Sequence, residues 1–284
     1  MSDSIALTST VIAEHAVRLR ALHHDGGVLV LPNAWDAMSA ALIAAAGAKA
    51  IGTTSGGVAW AHGRADGQHI TRQMAVDAVA RIAAVVSVPV TADIEGGYGP
   101  GADDVATTVE AIIAAGAAGI NLEDSPGTSS GLVDPDLQAR RIGAARQAGQ
   151  TAGVEVVINA RTDVYLISPS EFADPFGEVV ARAVRYAEAG ADCLFVPGLV
   201  DLTTIATLVG RSPLPVNIMA GPGAPTVAQL ADVGVRRVSV GTALAQTAYS
   251  AIDRAARELL EDGTYNSVDI RLSYGELNTQ SSGR

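Results

Sequence analysis

Lysine and cysteine are almost absent from this chain of 284 residues, and each scarcity removes a class of mechanism. Cys193 is the single cysteine, so an internal disulfide cannot form and a site of several zinc-binding thiolates is excluded. Lys49 is the single lysine and follows Gly47 at the start of an apolar run. A Schiff base needs a lysine amine at the reacting carbon. Because parallel α/β barrels place their chemistry at the other end of the strands, Lys49 argues against Schiff-base aldolases.

Aromatic residues are also scarce, at 4%, and the chain has neither a Lys/Arg-rich run nor an apolar stretch long enough to span a bilayer. Its formal net charge of −11 opposes binding to nucleic acid or to anionic membranes. The first residues lack the basic segment and apolar run of a secretory signal. We therefore expect a cytoplasmic enzyme with a small-molecule substrate and no nucleic-acid or membrane partner.

Apolar residues, mainly Ala, Val, Ile and Leu, make up 48% of the chain and recur as short runs separated by helical patterns. Four helical patterns end in a glycine between small residues, at Gly47, Gly116, Gly190 and Gly234. The apolar runs predict eight strands: Val28–Leu31, Ala50–Thr54, Val88–Asp93, Gly119–Glu123, Val154–Arg161, Asp192–Val196, Pro215–Met219 and Arg237–Val240. Eight such strand–helix units predict a parallel (β/α)₈ TIM barrel.

The barrel is expected to be a single domain over residues 1–284, because no Pro/Gly/Ser linker divides the chain. A helix at about residues 9–22 would cover its amino end, and the polar residues from about 261 to 284 would form a peripheral or partner-contacting tail. The rival fold is a doubly wound open sheet. It is disfavoured because no G-x-G-x-x-G segment follows the first strand.

Acidic residues collect where the third and fourth predicted strands end. Asp93 and Glu95 close the third strand on one side of it, and Glu123 closes the fourth. Carboxylates at one barrel mouth repel each other unless a cation lies between them, and oxygen ligands suit Mg²⁺, with Mn²⁺ as a substitute. The alternative is that such acids cap the following helices, which is as plausible for Asp124 and Asp163.

Two further segments could hold an anionic substrate. The second strand runs into Ser55-Gly56-Gly57, whose exposed amides could bind a carboxylate, although Ser-Gly-Gly is also a generic loop. Arg161 ends the fifth strand and offers a two-point clamp, or else a salt bridge within the acidic cluster. Trp35 lies near the end of the first strand and either walls the pocket or belongs to the core.

The motifs that contain these residues resemble the isocitrate lyase/phosphoenolpyruvate mutase superfamily. They are Asn33–Ala37, Thr54–Gly57, Ala92–Gly99, Asn121–Ser125 and Asn159–Asp163, and the likeness runs from about Leu31 to Tyr249. The resemblance implies that Asp93 ligates Mg²⁺ directly and that Glu95 and Glu123 hold it largely through water. It also implies that Asp66, or its neighbour Gly67, belongs to the catalytic site, that the Ser55–Gly57 amides and Arg161 bind the substrate, and that a swapped last helix builds a dimer or tetramer.

The sequence departs from the superfamily in the loop after the fourth strand. Members that cleave isocitrate-type substrates have a catalytic cysteine there, and the phosphonomutases have a lysine and an asparagine. Here residues 125–132 read Ser-Pro-Gly-Thr-Ser-Ser-Gly-Leu, which could close as a lid but has no Cys, Lys or His and supplies no obvious acid or nucleophile. Cys193 is predicted to be a buried, inert thiol within the sixth strand.

These absences favour chemistry that needs mainly the metal. We expect a Mg²⁺-dependent lyase that cleaves a C–C bond of a small 2-oxo acid through a metal-stabilised enolate, as in the decarboxylation of oxaloacetate. The alternative within the superfamily is phosphoenolpyruvate or carboxyphosphonoenolpyruvate mutase chemistry, with Asp66 near the phosphoryl group. Less favoured are a sugar-phosphate barrel enzyme using Gly221–Gly223 and Gly241-Thr242, and a barrel without catalytic activity.

Overall fold

A computed structural model describes residues 8–125, 131–167 and 172–281 of the chain. In chain order its elements are α1 (Ser9–His24), β1 (Leu29–Leu31), β2 (Asn33–Ala34), α2 (Ala37–Ala45), β3 (Ile51–Thr53), α3 (Ser55–Ala61), α4 (Arg72–Ala83), β4 (Val90–Asp93), α5 (Ala102–Ala114), β5 (Gly119–Glu123), α6 (Pro135–Thr151), β6 (Val157–Arg161), α7 (Pro175–Glu188), β7 (Cys193–Phe195), α8 (Leu202–Arg211), β8 (Val216–Met219), α9 (Val227–Asp232), β9 (Arg237–Ser239), α10 (Ala243–Glu261) and α11 (Tyr274–Ser281).

The strands form one parallel sheet in the order β1-β9-β8-β7-β6-β5-β4-β3-β2, which confirms the predicted α/β barrel. The first strand is split in two at Pro32: the predicted strand Val28–Leu31 corresponds to β1, and the chain continues beyond the prediction as β2. Its first part, β1, pairs with β9, and its second part, β2, pairs with β3. Proline has no N–H to give to a ladder, so the break falls where proline is tolerated. The two halves of this one strand thus bring the edges of the sheet together.

The glycines predicted to end helices do so in the left-handed conformation. Gly47, Gly116, Gly190 and Gly234 have φ angles of 98°, 104°, 101° and 87°. A residue with a Cβ is strained at such angles, whereas glycine is not. Each of these glycines turns the chain from a helix into the approach to the next strand, so the repeat in the sequence marks the repeat of the barrel.

Side chains alternate between the helix-facing core and the barrel interior along each strand. In β5 to β8, residues such as Leu122, Ala160, Leu194 and Ile218 belong to the main apolar cluster beneath the helices. Their neighbours therefore point into the barrel. This places the side chains of Asp93, Asn121, Glu123, Asn159, Arg161, Phe195, Asn217 and Met219 inside. The polar residues of the sequence thus gather on one surface, which rises to the carboxyl ends of the strands.

At the amino end, α1 lies under the barrel and a buried guanidinium stands above it. Leu19 of α1 packs with Leu29, Leu31 and Val157. Arg237 is fully buried, donates to Asn121 Oδ1 at 3.0 Å and lies 3.5 Å from His23 Nε2. His23 Nδ1 is 2.7 Å from the Leu19 carbonyl oxygen, so the ring is held neutral between a backbone acceptor and a cation.

This arrangement predicts acid sensitivity. Burial and the Arg237 guanidinium lower the pKa of His23 to about 3, so between that pH and about 6.5 the unfolded chain binds a proton that the folded protein does not. Stability is therefore present above about pH 6.5 and is lost as the pH falls toward 3. We expect the advantage of wild type over His23→Gln in free energy of unfolding to shrink by about 3 kcal/mol between pH 7 and pH 4. Urea unfolding at both pH values measures it, and an unchanged difference would contradict the argument.

The outer face of β1 is not covered by α10, the helix that follows the last strand. Val30 points outward from β1 and is 41% exposed, although barrel strands are normally covered by helices on this side. A groove of about 700 Å³ runs beside it, lined by apolar residues that include Leu22, Ile43 and Leu244. Along α10 itself Ile252 and Leu260 are exposed. In the part of the chain that is described, no helix combines the length and apolar character needed to cross a membrane.

Candidate active site

The acidic residues singled out from the sequence lie at the carboxyl ends of β4 and β5. The Asp93 side chain is at the end of β4, and Asp93 Oδ1 accepts a hydrogen bond of 3.0 Å from the Glu95 N–H. Asp93 is in no ion pair among the described residues. Burial raises the pKa of the Asp93 carboxyl, and the neighbouring acids Asp66 and Asp163 raise it further against the opposing effect of Arg161. Within the described part of the chain, Asp93 is therefore an acid without an ion pair, close to two other acids and to the Arg161 guanidinium.

The chain after β4 is strained where it carries Glu95. Glu95 and Tyr98 have φ angles of 49° and 56°, in the left-handed region that costs residues with side chains about 1–2 kcal/mol. Gln68, on the loop that also carries Asp66, has a φ of 63°. The Glu95 carboxylate accepts the Gln68 N–H and, at 3.2 Å, the Tyr98 hydroxyl. Burial and the Asp93 carboxylate raise the pKa of Glu95 to about 7. Strain of this kind is typical of functional loops.

Glu123 and Arg161 are paired with each other. Arg161 Nη1 lies 2.7 Å from Glu123 Oε2, and the same guanidinium contacts Asp163 through Nε at 2.6 Å and Nη2 at 2.9 Å. Burial alone would lower the pKa of Arg161, but the two carboxylates outweigh it and raise the pKa above its usual value. Arg161 thus forms the salt bridge within the acidic cluster that was considered as an alternative to substrate binding. One of its partners is Glu123, a predicted metal ligand.

The predicted acids therefore do not converge as direct ligands of one ion. Among the described residues, no group of three or more His, Cys, Asp or Glu side chains is arranged to hold a metal. The reason is the pairing just described, since Arg161 holds Glu123 and the Gln68 amide holds Glu95. The concentration of negative charge nevertheless suits a dication. Burial is the main cause of the raised pKa of Glu95, and the Asp93 and Asp66 carboxylates raise it further. A hydrated Mg²⁺ suits such a site, because it keeps several waters and needs few direct carboxylates.

The predicted anion-binding segment follows β3, the strand that pairs with β4 and its terminal Asp93. The first turn of α3 is buried and consists of Ser55, Gly56 and Gly57. The first hydrogen bond of the helix comes after them, from the Val58 N–H to the Thr54 carbonyl oxygen at 3.0 Å. A Cβ on Gly56 would come within 3.0 Å of the Asp66 carboxylate. The amides and the Asp66 carboxylate are therefore neighbours. Of the two residues considered for this position, Asp66 and Gly67, the contact favours Asp66.

Trp35 and two apolar residues border the other half of the mouth. Trp35 packs beside Gly57, where a Cβ would lie 2.8 Å from the Trp35 Cβ, and its ring centroid is 6.4 Å from that of Tyr249. Phe195 ends β7 with the Arg161 guanidinium 5.9 Å from its ring centroid. Met219 ends β8 and points inward. The mouth is thus acidic over β4 to β6 and apolar over β7 and β8.

Asp124 and Cys193, both weighed from the sequence, have structural roles, and so does Asn217 of β8. Asp124 is buried, accepts the Asp163 N–H at 2.9 Å and pairs with Arg182 at 3.0 Å. Asn217 points into the barrel, where its Oδ1 accepts from Ser239 at 3.3 Å. Cys193 is fully buried, and burial raises the pKa of its thiol to about 12, as expected of an inert cysteine. Residues 126–130 of the expected lid lie outside the described residues.

Sequence reasoning missed how the site is supported. Ser125 Oγ donates to Asp163, which fixes the acid that holds Arg161. Arg141 and Gln138 of α6 contact the backbone of the acid-bearing segments. An arginine or glutamine on a helix is ordinarily a surface residue. One signal could have suggested a buried pair. Gln138 and Arg141 are three residues apart, on the side of α6 that also carries the buried Ala145.

The chain is similar to known proteins over most of its length. The family described as phosphoenolpyruvate phosphomutase matches residues 19–260. The uncharacterized protein Rv1998c of Mycobacterium tuberculosis is 41% identical over 256 residues, 90% of this chain and 93% of that protein. The 2-methylisocitrate lyase of Escherichia coli K12 is 32% identical over 82% of this chain and 80% of its own. The structure of oxaloacetate acetylhydrolase with its product oxalate has a TM-score of 0.86 at 26% identity, covering 95% of this chain and 94% of that one.

Proposed function

Because the chain belongs to the isocitrate lyase/phosphoenolpyruvate mutase superfamily, we propose that it is a Mg²⁺-dependent lyase that breaks a C–C bond of a small 2-oxo acid, as in oxaloacetate decarboxylation. One observation carries this proposal. Asp93 lies near other carboxylates at the barrel mouth and has no ion-pair partner among the described residues. The matched relatives include a 2-methylisocitrate lyase and an oxaloacetate acetylhydrolase, and the matched family is described as a phosphomutase. The absence of a lysine, cysteine or histidine from the loop at 125–132 leaves the lyase without an obvious protein nucleophile.

In this proposal Asp93 holds the ion directly, and Glu95 and Glu123 hold it through water. When bound, Mg²⁺ would supply Lewis-acid stabilisation of the enolate that forms as the bond at C3 breaks. Arg161 offers the substrate's second carboxylate a planar two-point clamp. To do so its guanidinium must share or release Glu123 and Asp163, whose contacts lie between 2.6 and 2.9 Å.

The remaining residues orient the substrate and limit its access to water. The amides of Ser55, Gly56 and Gly57 would bind the carboxylate next to the 2-oxo group, with Asp66 beside them. Trp35, Phe195 and Met219 provide an apolar border around the reacting carbon. Water kept away from this region strengthens the electrostatic contacts on the acidic side.

A Mg²⁺-dependent substrate screen tests the proposal. We expect pyruvate release from oxaloacetate or a related 2-oxo acid in the presence of Mg²⁺, loss of turnover with EDTA, and recovery when Mg²⁺ or Mn²⁺ is added back. Alkylmalates are included to detect cleavage of 2-hydroxy acids instead. Phosphonopyruvate followed by phosphorus NMR forms the other arm, because the matched family also includes mutases. Full activity after complete metal removal would refute the proposal, and conversion of phosphonopyruvate alone would favour mutase chemistry.

We also propose that the protein is a homo-oligomer in which α10 of one copy covers β1 of another. The exposed Val30 and the apolar groove beside it form the seat, and the apolar residues of α10 such as Ile252 and Leu260 form the insert. An exposed strand face of this size in a barrel favours a partner helix. Light scattering at micromolar concentration tests this, since a monomer mass would contradict it.

A further inference from the structure

Helix α6 carries two buried polar side chains that reach inward to the acid-bearing strand ends. Gln138 is fully buried and Arg141 is 3% exposed, although both residue types are usually found at the surface. Gln138 Nε2 donates to the carbonyl oxygen of Glu123 at 3.1 Å. Arg141 Nη1 donates to Gln138 Oε1 at 2.7 Å. The pair therefore forms one connected unit that begins at the end of β5.

Arg141 extends this unit to the loop that follows β4. Its Nη2 donates to the carbonyl oxygen of Gly96 and, at 3.5 Å, to that of Gly99. These carbonyls lie on either side of Tyr98, and Gly96 directly follows Glu95, so the guanidinium spans the strained part of the loop. The loop is also joined to β5 by the Glu123 N–H, which donates to the Glu95 carbonyl oxygen at 3.0 Å. Glu95 and Glu123 are thus linked twice through the backbone, once directly and once through α6.

We call the contacts of Arg141 with Gln138 and the two carbonyls the clamp. Burying this guanidinium costs stability that α6 itself does not recover, which argues that the clamp serves the loop it holds. Arg141 forms no ion pair within the described residues, and its Nε is buried without a hydrogen-bond partner there. A guanidinium buried with carbonyls as its main partners forgoes much of its hydration. An apolar residue at this place on α6 would avoid that cost. What the arginine adds is a rigid fork on the two carbonyls of the left-handed segment.

We propose that Arg141, through Gln138 and the Gly96 and Gly99 carbonyls, is a positioning residue that sets the distance between Glu95 and Glu123. This rests on the proposed function, because the spacing matters only if both acids hold one hydrated ion. Hydrogen-bond partners of ligating side chains typically contribute about 10–100-fold to metal affinity. Arg141 acts one step further back, on the backbone that carries Glu95, so we expect an effect at the lower end of that range. The Arg141 guanidinium contacts Gln138 and two backbone carbonyls rather than the carboxylates of Glu95 and Glu123, so its effect appears in the site's geometry.

The test uses two arginines of the same helix. Arg141→Met removes the clamp, Arg141→Lys keeps a charge with a single donor point, and Arg146→Met is the matched control. Arg146 holds the opposite end of the barrel, donating to the carbonyl oxygens of Gly190 and Val156, at 2.8 Å and 2.6 Å, and pairing with Asp192. Both methionine variants lose contacts to backbone carbonyls, but only Arg141→Met loses those of the acid-bearing loop.

The readouts are the Mn²⁺ dissociation constant, from titration of the metal-free full-length protein, and amide hydrogen exchange of the peptide over residues 94–101. We expect Arg141→Met to weaken Mn²⁺ binding about tenfold and to speed exchange in that peptide, with Arg141→Lys in between. Arg146→Met should lower the melting temperature without changing either readout. Equal Mn²⁺ affinity in wild type and Arg141→Met would overturn this inference alone, as would equal weakening by Arg146→Met. No saturable Mn²⁺ binding in wild type would overturn the proposed function as well.

Discussion

Asp93→Asn is expected to lower kcat/KM by about 10³-fold or more while leaving the fold intact. A bound dication supplies several kcal/mol of stabilisation to a developing enolate, and each 1.4 kcal/mol corresponds to about tenfold in rate. The amide cannot replace the carboxylate as an anionic ligand of Mg²⁺. Steady-state kinetics over a range of Mg²⁺ concentrations measure the loss, and excess metal should not restore full activity.

The same variant should make the metal-free protein more stable, which separates a functional acid from a structural one. Burial and the neighbouring acids raise the pKa of Asp93, so its ionised form is disfavoured in the folded protein. Removing that charge relieves the repulsion from Asp66 and Asp163. Thermal melts without metal should show a higher midpoint than wild type, and added Mg²⁺ should reverse the order. Asp103→Asn, at an exposed acid in the first turn of α5, is the control and should change neither measurement. Unchanged kinetics in Asp93→Asn would remove the basis of the proposed site.

Arg161→Met is expected to lower the free energy of unfolding by about 3–5 kcal/mol, because it leaves two buried carboxylates without their cation. Glu123 and Asp163 are 8% and 5% exposed at their side chains. Arg161→Lys should recover part of this stability, since it keeps the charge. It should still raise KM, because an ammonium cannot bind a carboxylate at two points.

Urea unfolding and steady-state kinetics of both Arg161 variants distinguish the two roles of this side chain. Arg185→Met is the comparison for an arginine at the surface, since Arg185 pairs with Asp136 where both are largely exposed. It should have little effect on stability or on KM. If Arg161→Lys matched wild type in KM, Arg161 would hold the acids in place but would not bind substrate.

The barrel could be predicted from the sequence because its signals are local. The helix-ending glycines, of which Gly116 and Gly190 are examples, have the positive φ angles that their position implied. Apolar runs such as Gly119–Glu123 became strands because neighbouring residues alone set the alternation of inward and outward side chains. The break at Pro32 was missed, since a proline after an apolar run is also a common end of a strand.

The pairing of side chains within the site could not be predicted in the same way. The sequence placed Glu123 and Arg161 at neighbouring strand ends, but whether an arginine binds a substrate or the adjacent acid depends on distances set by strand register. The contribution of Arg141 was invisible for a similar reason. Its contacts with Gly96 and Gly99 join residues more than forty positions apart, and no local pattern encodes them.

The split strand at Pro32 also bears on the order in which the molecule assembles. Asn33, just past the break, accepts hydrogen bonds from the N–H groups of Val240 and Gly241, each at 3.0 Å, and donates to the Thr53 carbonyl oxygen at 2.9 Å. The Asn33 side chain thereby joins residues 207 positions apart in the sequence, and its hydrogen bonds replace those that the strand ladder lacks at the break. Contacts so distant form late and slowly. A nascent chain consequently lacks a finished active-site rim until nearly its whole length has been synthesised.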